Sequence, residues 1–153
     1  MLGHPRDHRL IRRLLDLSLP PGDFVLAGSA PLLAHGLRAG LGDLDVVARG
    51  RAWQTAVSLG TPVRAPSGNG LVVRLAGGDI EIFDSWISPR WPVDSLIANA
   101  DVIEGVRFVS LRESLEWKRR LGRDKDKEDV RLLEAYFRQH PETGRRRVLV
   151  GHG

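Results

Sequence analysis

Two short apolar runs constrain this chain more than anything else in it. Val25-Leu26-Ala27 delivers Gly28-Ser29, and thirteen residues later (after 30–42) a second run delivers Asp43-Leu44-Asp45-Val46-Val47. Side chains alternate faces along a β-strand, so Asp43 and Asp45 share one face while Leu44 and Val46 point into a core. Aspartate is disfavoured in strands and two on one face repel, so a fold that keeps this pair needs a compensating charge. Mg²⁺ is suited to the task, because it takes one or two protein carboxylates and fills its other positions with water and substrate phosphates. Gly28-Ser29, at a strand-to-helix turn, offers backbone N–H groups and the positive end of a helix, both favourable to phosphate. The bland reading of the same residues is a turn Asp after Gly42, a solvent-facing strand Asp and a Ser helix cap.

The Gly-Ser, the spacer and Asp-Leu-Asp resemble the first signature of the nucleotidyltransferase superfamily that includes DNA polymerase β. That signature implies a third carboxylate on a later strand. Asp79-Ile80-Glu81-Ile82-Phe83-Asp84 holds the candidates, with Glu81 first by its hydrophobic-acid-hydrophobic context and Asp84 second. The two face opposite sides of a regular strand, so at most one joins Asp43 and Asp45. Downstream, Lys118 and then Arg123-Asp124-Lys125-Asp126-Lys127-Glu128-Asp129 resemble the ending of small bacterial nucleotidyltransferase-like proteins, some of them abortive-infection or toxin–antitoxin components.

What the resemblance implies is an enzyme moving a nucleoside monophosphate from an NTP onto a hydroxyl acceptor. Asp43, Asp45 and Glu81 (or Asp84) would hold two Mg²⁺ ions, and the third acid would act as base or orient the attacking hydroxyl. Gly28 and Ser29 would hold the β/γ-phosphates, with Lys118, Arg38 and Lys125 as further phosphate contacts. The acceptor implied is an RNA such as tRNA, or a protein, in a toxin–antitoxin or phage-defence setting with an antitoxin-type partner. The alternative is a catalytically inactive module of the same kind that binds nucleotide, RNA or a protein partner. Without the resemblance, Lys118 reads as part of a solvated charged face, and 123–129 as a salt-bridged helix start with Lys125 and Asp129 spaced to pair.

Composition bounds the rest. At 153 residues, 42% hydrophobic and 27% charged, the chain reads as one soluble domain, with its core at about 23–139 and a flexible tail at 141–153. It has no cysteine, which excludes disulfides and thiolate metal sites. The five histidines lack ligand spacing, and His4 with His8 reads as a solvated pair. No run approaches a membrane span and the N-terminus lacks a secretory apolar region, so a cytoplasmic protein is expected. The net charge of +4 and the arginines at both ends, 6, 9, 12, 13 and 145–147, suit either solvated faces or RNA contact.

Periodicity and turn residues predict an α/β (α+β) fold, a mixed sheet flanked by helices. Helices are expected at 7–17, 30–34 (capped by Ser29), 51–59 with Trp53 and Val57 inward, 95–98, 111–121, and after Asp124 or Asp126. Strands are expected at 23–27, 44–48, 61–64, 71–76, 80–83, 102–103 and 106–109. Gly77-Gly78-Asp79 closes a hairpin that sets Glu81 in an antiparallel strand beside the carboxylate strand. Trp86 and Trp91 fall in an irregular loop, where packing is expected over nucleobase stacking.

Overall fold

The structure, a computed structural model, describes residues 4–141. The chain divides into two compact units, residues 1–110 and 111–153. The tail expected to be flexible, with Arg145, Arg146 and Arg147, lies outside the described residues.

The first unit is a seven-stranded mixed sheet with helices. Its strands are β1 (Phe24–Leu26), β2 (Leu44–Ala48), β3 (Val63–Arg64), β4 (Leu71–Leu75), β5 (Ile80–Phe83), β6 (Asp101–Ile103) and β7 (Val106–Phe108), in the order β3-β4-β5-β2-β1-β7-β6. Its helices are α1 (Arg9–Leu15), α2 (Ala30–Ala34), α3 (Gly50–Leu59) and α4 (Val93–Ala98). β5 runs antiparallel to β4 and parallel to β2, and β1 is antiparallel to β2 and parallel to β7. The α+β architecture read from the sequence is therefore the one the chain adopts.

Alternation sorts the side chains into two faces. Phe24 and Leu26, Leu44, Val46 and Ala48, Val73, Ile80 and Ile82, and Val106 and Phe108 form one buried face with Leu10, Ile11 and Leu14 of α1 and Ala52 and Ala56 of α3. Removing such apolar area from water is the main favourable contribution to folding. The inward residues of α3 are these two alanines with Trp53 partly buried, whereas Val57 is 39% exposed, contrary to the inward position expected for it. A helix that lies close to a sheet places its small residues at the contact and turns the larger neighbour outward. On the opposite face, Val25, Val47 and Val72 are also fully buried.

Local details depart from expectation in two more places. Ser29 stands at the start of α2, where its carbonyl accepts from Leu32 and Leu33, but its hydroxyl makes no capping bond. His8, expected to be solvated, instead caps α1, its Nδ1 accepting the Leu10 N–H at 3.2 Å. The loop tryptophans pack as expected: Trp86 and Trp91 are 5% and 6% exposed, and Trp86 meets Phe83 edge-on.

The second unit comprises α5 (Leu111–Leu121), a 3-10 turn at Asp124–Asp126 and α6 (Lys127–Gln139). Arg119 forks onto Glu134 between the two helices, and the Arg112 guanidinium lies 5.5 Å from the Phe137 ring. Among the described residues, no helix is long and apolar enough to cross a membrane.

Candidate metal and phosphate site

The site is built on the sheet face opposite the α1–α3 core. Strand registry sets Arg74 opposite Glu81 across the β4–β5 pair, and Glu81 beside Asp45 across the β5–β2 pair. Arg74, Glu81 and Asp45 thus form one polar row, and the next row on the same face is Val72, Phe83, Val47 and Val25. A row of charges backed by a largely buried apolar row keeps its polar heads at one end of the strands, within reach of water.

Asp43, just before β2, completes the cluster. Asp43, Asp45 and Glu81 each offer a carboxylate oxygen, and these atoms lie within 4.8 Å of one another. Asp43 is exposed while Asp45 and Glu81 are half-buried. Three oxygen donors without sulfur or nitrogen are the set a hard divalent cation prefers.

Gly28 fits closely around this cluster. Its backbone is left-handed, with φ +64°, and a Cβ at this position would stand 2.5 Å from Oδ2 of Asp45. Any larger residue would be strained twice, by its backbone and by the carboxylate. The Ala27 N–H donates to the Asp45 carbonyl at 2.9 Å, which fixes the loop against the carboxylate strand. Arg38 Nη1 reaches the Ser29 hydroxyl at 3.5 Å, a long contact that brings a cation to the same loop. Since α2 has only five residues, its dipole adds little, and the anion-binding capacity of the loop rests on its own N–H groups and on Arg38.

Asp84, Lys118, Asp126 and Asp129, also singled out in the sequence, carry other contacts. Asp84 closes the end of β5, its Oδ1 accepting the Leu71 N–H at 2.8 Å, and it does not belong to the three-carboxylate cluster. Lys118 is 2% exposed rather than on a solvated face. Its Nζ lies 3.0 Å from Asp129, 3.5 Å from Asp126 and 4.4 Å from the centre of the Trp117 ring. Asp126, placed to cap α6, makes no capping bond; it takes the fork of Arg123 at 2.7 and 3.2 Å. Asp129 therefore pairs with Lys118 where a Lys125 partner was expected, and Lys125 is exposed on the 3-10 turn.

Sequence reasoning missed Arg74. It donates from Nε to Glu81 Oε2 at 2.7 Å, with the arginine side chain 42% and the glutamate 20% exposed. The pairing turns on the length of the hairpin loop. A loop of three residues, 77–79, would not set Arg74 against Glu81. The 3-10 turn begins at Ala76, which leaves four residues between the strands and pairs Leu75 with Ile80 and Arg74 with Glu81. Also unforeseen was the pairing of His35 with Asp101, Nε2 to Oδ2 at 3.1 Å.

No protein-family model, curated protein or solved structure matches this chain.

Proposed function

We propose that this chain is a Mg²⁺-dependent nucleotidyltransferase that moves a nucleoside monophosphate from an NTP to a hydroxyl acceptor. The observation carrying this reading is the convergence of Asp43, Asp45 and Glu81 within 4.8 Å against the left-handed Gly28 loop. An all-carboxylate donor set beside a Gly-Ser turn suits a cation shared between protein and phosphate.

In this reading Asp43, Asp45 and Glu81 hold Mg²⁺, which when bound supplies charge neutralisation at the phosphates. Gly28 and Ser29 receive the β/γ-phosphates, and Arg38, already beside the Ser29 hydroxyl, offsets their charge. Glu81 keeps Oε1 outside its bond to Arg74 and orients the attacking hydroxyl. That hydroxyl oxygen bonds to the α-phosphorus and gives its proton to water, the bond to the bridging oxygen breaks, and pyrophosphate leaves. Catalysis is then a matter of positioning and electrostatics. The ammonium of Lys118, a phosphate contact in the family resemblance, is held by Asp126 and Asp129.

A competing reading, a non-catalytic module that binds nucleotide or RNA, draws on the cation that Arg74 already supplies to Glu81. The two separate on incubation of the purified chain with each α-labelled NTP, Mg²⁺ and total bacterial RNA, beside an Asp43→Ala/Asp45→Ala control. Label transferred to RNA or to the protein, and lost in the control, supports the transferase. Absence of transfer with every NTP, from a protein that still binds nucleotide, favours the module.

A further inference from the structure

Arg74 stands where a cation-binding cluster would least need a positive charge. The Arg74–Glu81 pair is half-exposed, and such pairs contribute little to stability. Its value to the fold is therefore small. Its effect on a neighbouring divalent ion is larger, because a guanidinium carries its charge at every accessible pH. The β4–β5 ladder also fixes the arginine directly opposite Glu81, so the charge cannot drift away from the cluster without giving up a 2.7 Å hydrogen bond.

We infer that Arg74 sets how tightly this cluster binds a bare divalent ion. The inference rests on the metal-site reading above. By holding Oε2 of Glu81, Arg74 acts as a resident competitor: it repels a bare divalent ion and leaves Glu81 one oxygen to offer. Phosphate oxygens entering at the Gly28-Ser29 loop add the negative charge that outweighs this repulsion. Metal and triphosphate then bind more tightly together than either alone, and by the same factor in both directions. Arg74 is a positioning residue in this scheme, acting through Glu81.

The test is Mn²⁺ titration of the purified chain, read from the electron paramagnetic resonance signal of free Mn²⁺, with and without a non-hydrolysable NTP analogue. A single and a double charge about 6 Å apart in water repel by an amount equivalent to about tenfold in affinity. Arg74→Gln is thus expected to bind Mn²⁺ about tenfold more tightly, both alone and with the analogue present. Arg74→Lys, which keeps the charge, is expected to stay within about twofold of the parent chain by the same Coulomb argument. Unchanged or weaker Mn²⁺ binding in Arg74→Gln, with binding still lost in Asp45→Asn, overturns the inference and leaves the metal site standing. No Asp45-dependent Mn²⁺ binding in any folded variant removes the metal site and, with it, the inference.

Discussion

The two units treat their acidic residues in opposite ways. In the second, Asp126 and Asp129 are 3% and 1% exposed, and each sits against a cation from Lys118 or Arg123. In the first, Asp43, Asp45 and Glu81 crowd within 4.8 Å and remain in reach of water. Buried carboxylates persist as ions only with a partner at hand, since desolvation costs several kcal/mol per charge. Water tolerates the crowded cluster of the first unit, and the same accessibility lets a cation enter. The contrast separates a charge network that holds structure from one that can take a ligand.

The largest effect expected is on the buried side of that contrast. Lys118→Met should lower stability by about 3 kcal/mol, because it removes the buried cation beside Asp129. Urea unfolding measures this; a loss under about 1 kcal/mol would mean that water reaches the pair and that the two units differ less than described. Next comes the glycine that shapes the cluster. Gly28→Ala should cost about 2 kcal/mol, combining left-handed strain with displacement of the Asp45 carboxylate, and should weaken Mn²⁺ binding. Gly68→Ala is the control, also left-handed at φ +83° but with nothing within 4 Å, so its cost should be smaller and Mn²⁺ binding unaffected.

Two carboxylates of the first unit sharpen the comparison further. Asp84→Ala should cost about 1 kcal/mol through the lost Leu71 N–H bond and leave Mn²⁺ binding intact. Asp43→Asn, on an exposed residue of the cluster, should change stability by less than about 0.5 kcal/mol while weakening Mn²⁺ binding strongly. Weakened Mn²⁺ binding in Asp84→Ala would instead place Asp84 among the ligands.

The smallest effect concerns a group held neutral rather than charged. Burial, and after it the Arg9 charge, lowers the His8 pKa below the ordinary imidazole value of 6.5. As pH falls the unfolded chain takes up this proton first, so the contribution of His8 is complete above 6.5 and declines as pH drops below that value. Protonation also removes the Nδ1 acceptor that caps α1. Thermal melts from pH 7.5 to 5.5 should show this decline, and His8→Asn, which caps without titrating, should flatten it.

Much of the fold was legible because its signals are local. The bounds of α2, β2 and β5 follow from short apolar runs ended by Gly, Ser or Asp, and period-two alternation alone placed Asp43 and Asp45 together. Alternation also barred Glu81 and Asp84 from sharing a face. The capping roles of Ser29 and Asp126 were misread for a common reason. A hydroxyl or carboxylate at a helix start caps only when no stronger partner competes, and Asp126 has Arg123 and Lys118 at hand.

By itself, then, the sequence determined which strands carry acids, which face those acids share and where the glycine turn meets them. Only the tertiary structure decided that β5 lies against β2 in the register that sets Glu81 beside Asp45, since strand order depends on contacts distant in sequence. It also decided the partners: Arg74 for Glu81, through one extra residue in a turn, and Asp129 for Lys118, through the packing of two helices. Charge pairing acts over a few ångströms of space, and separation along the chain does not report that distance.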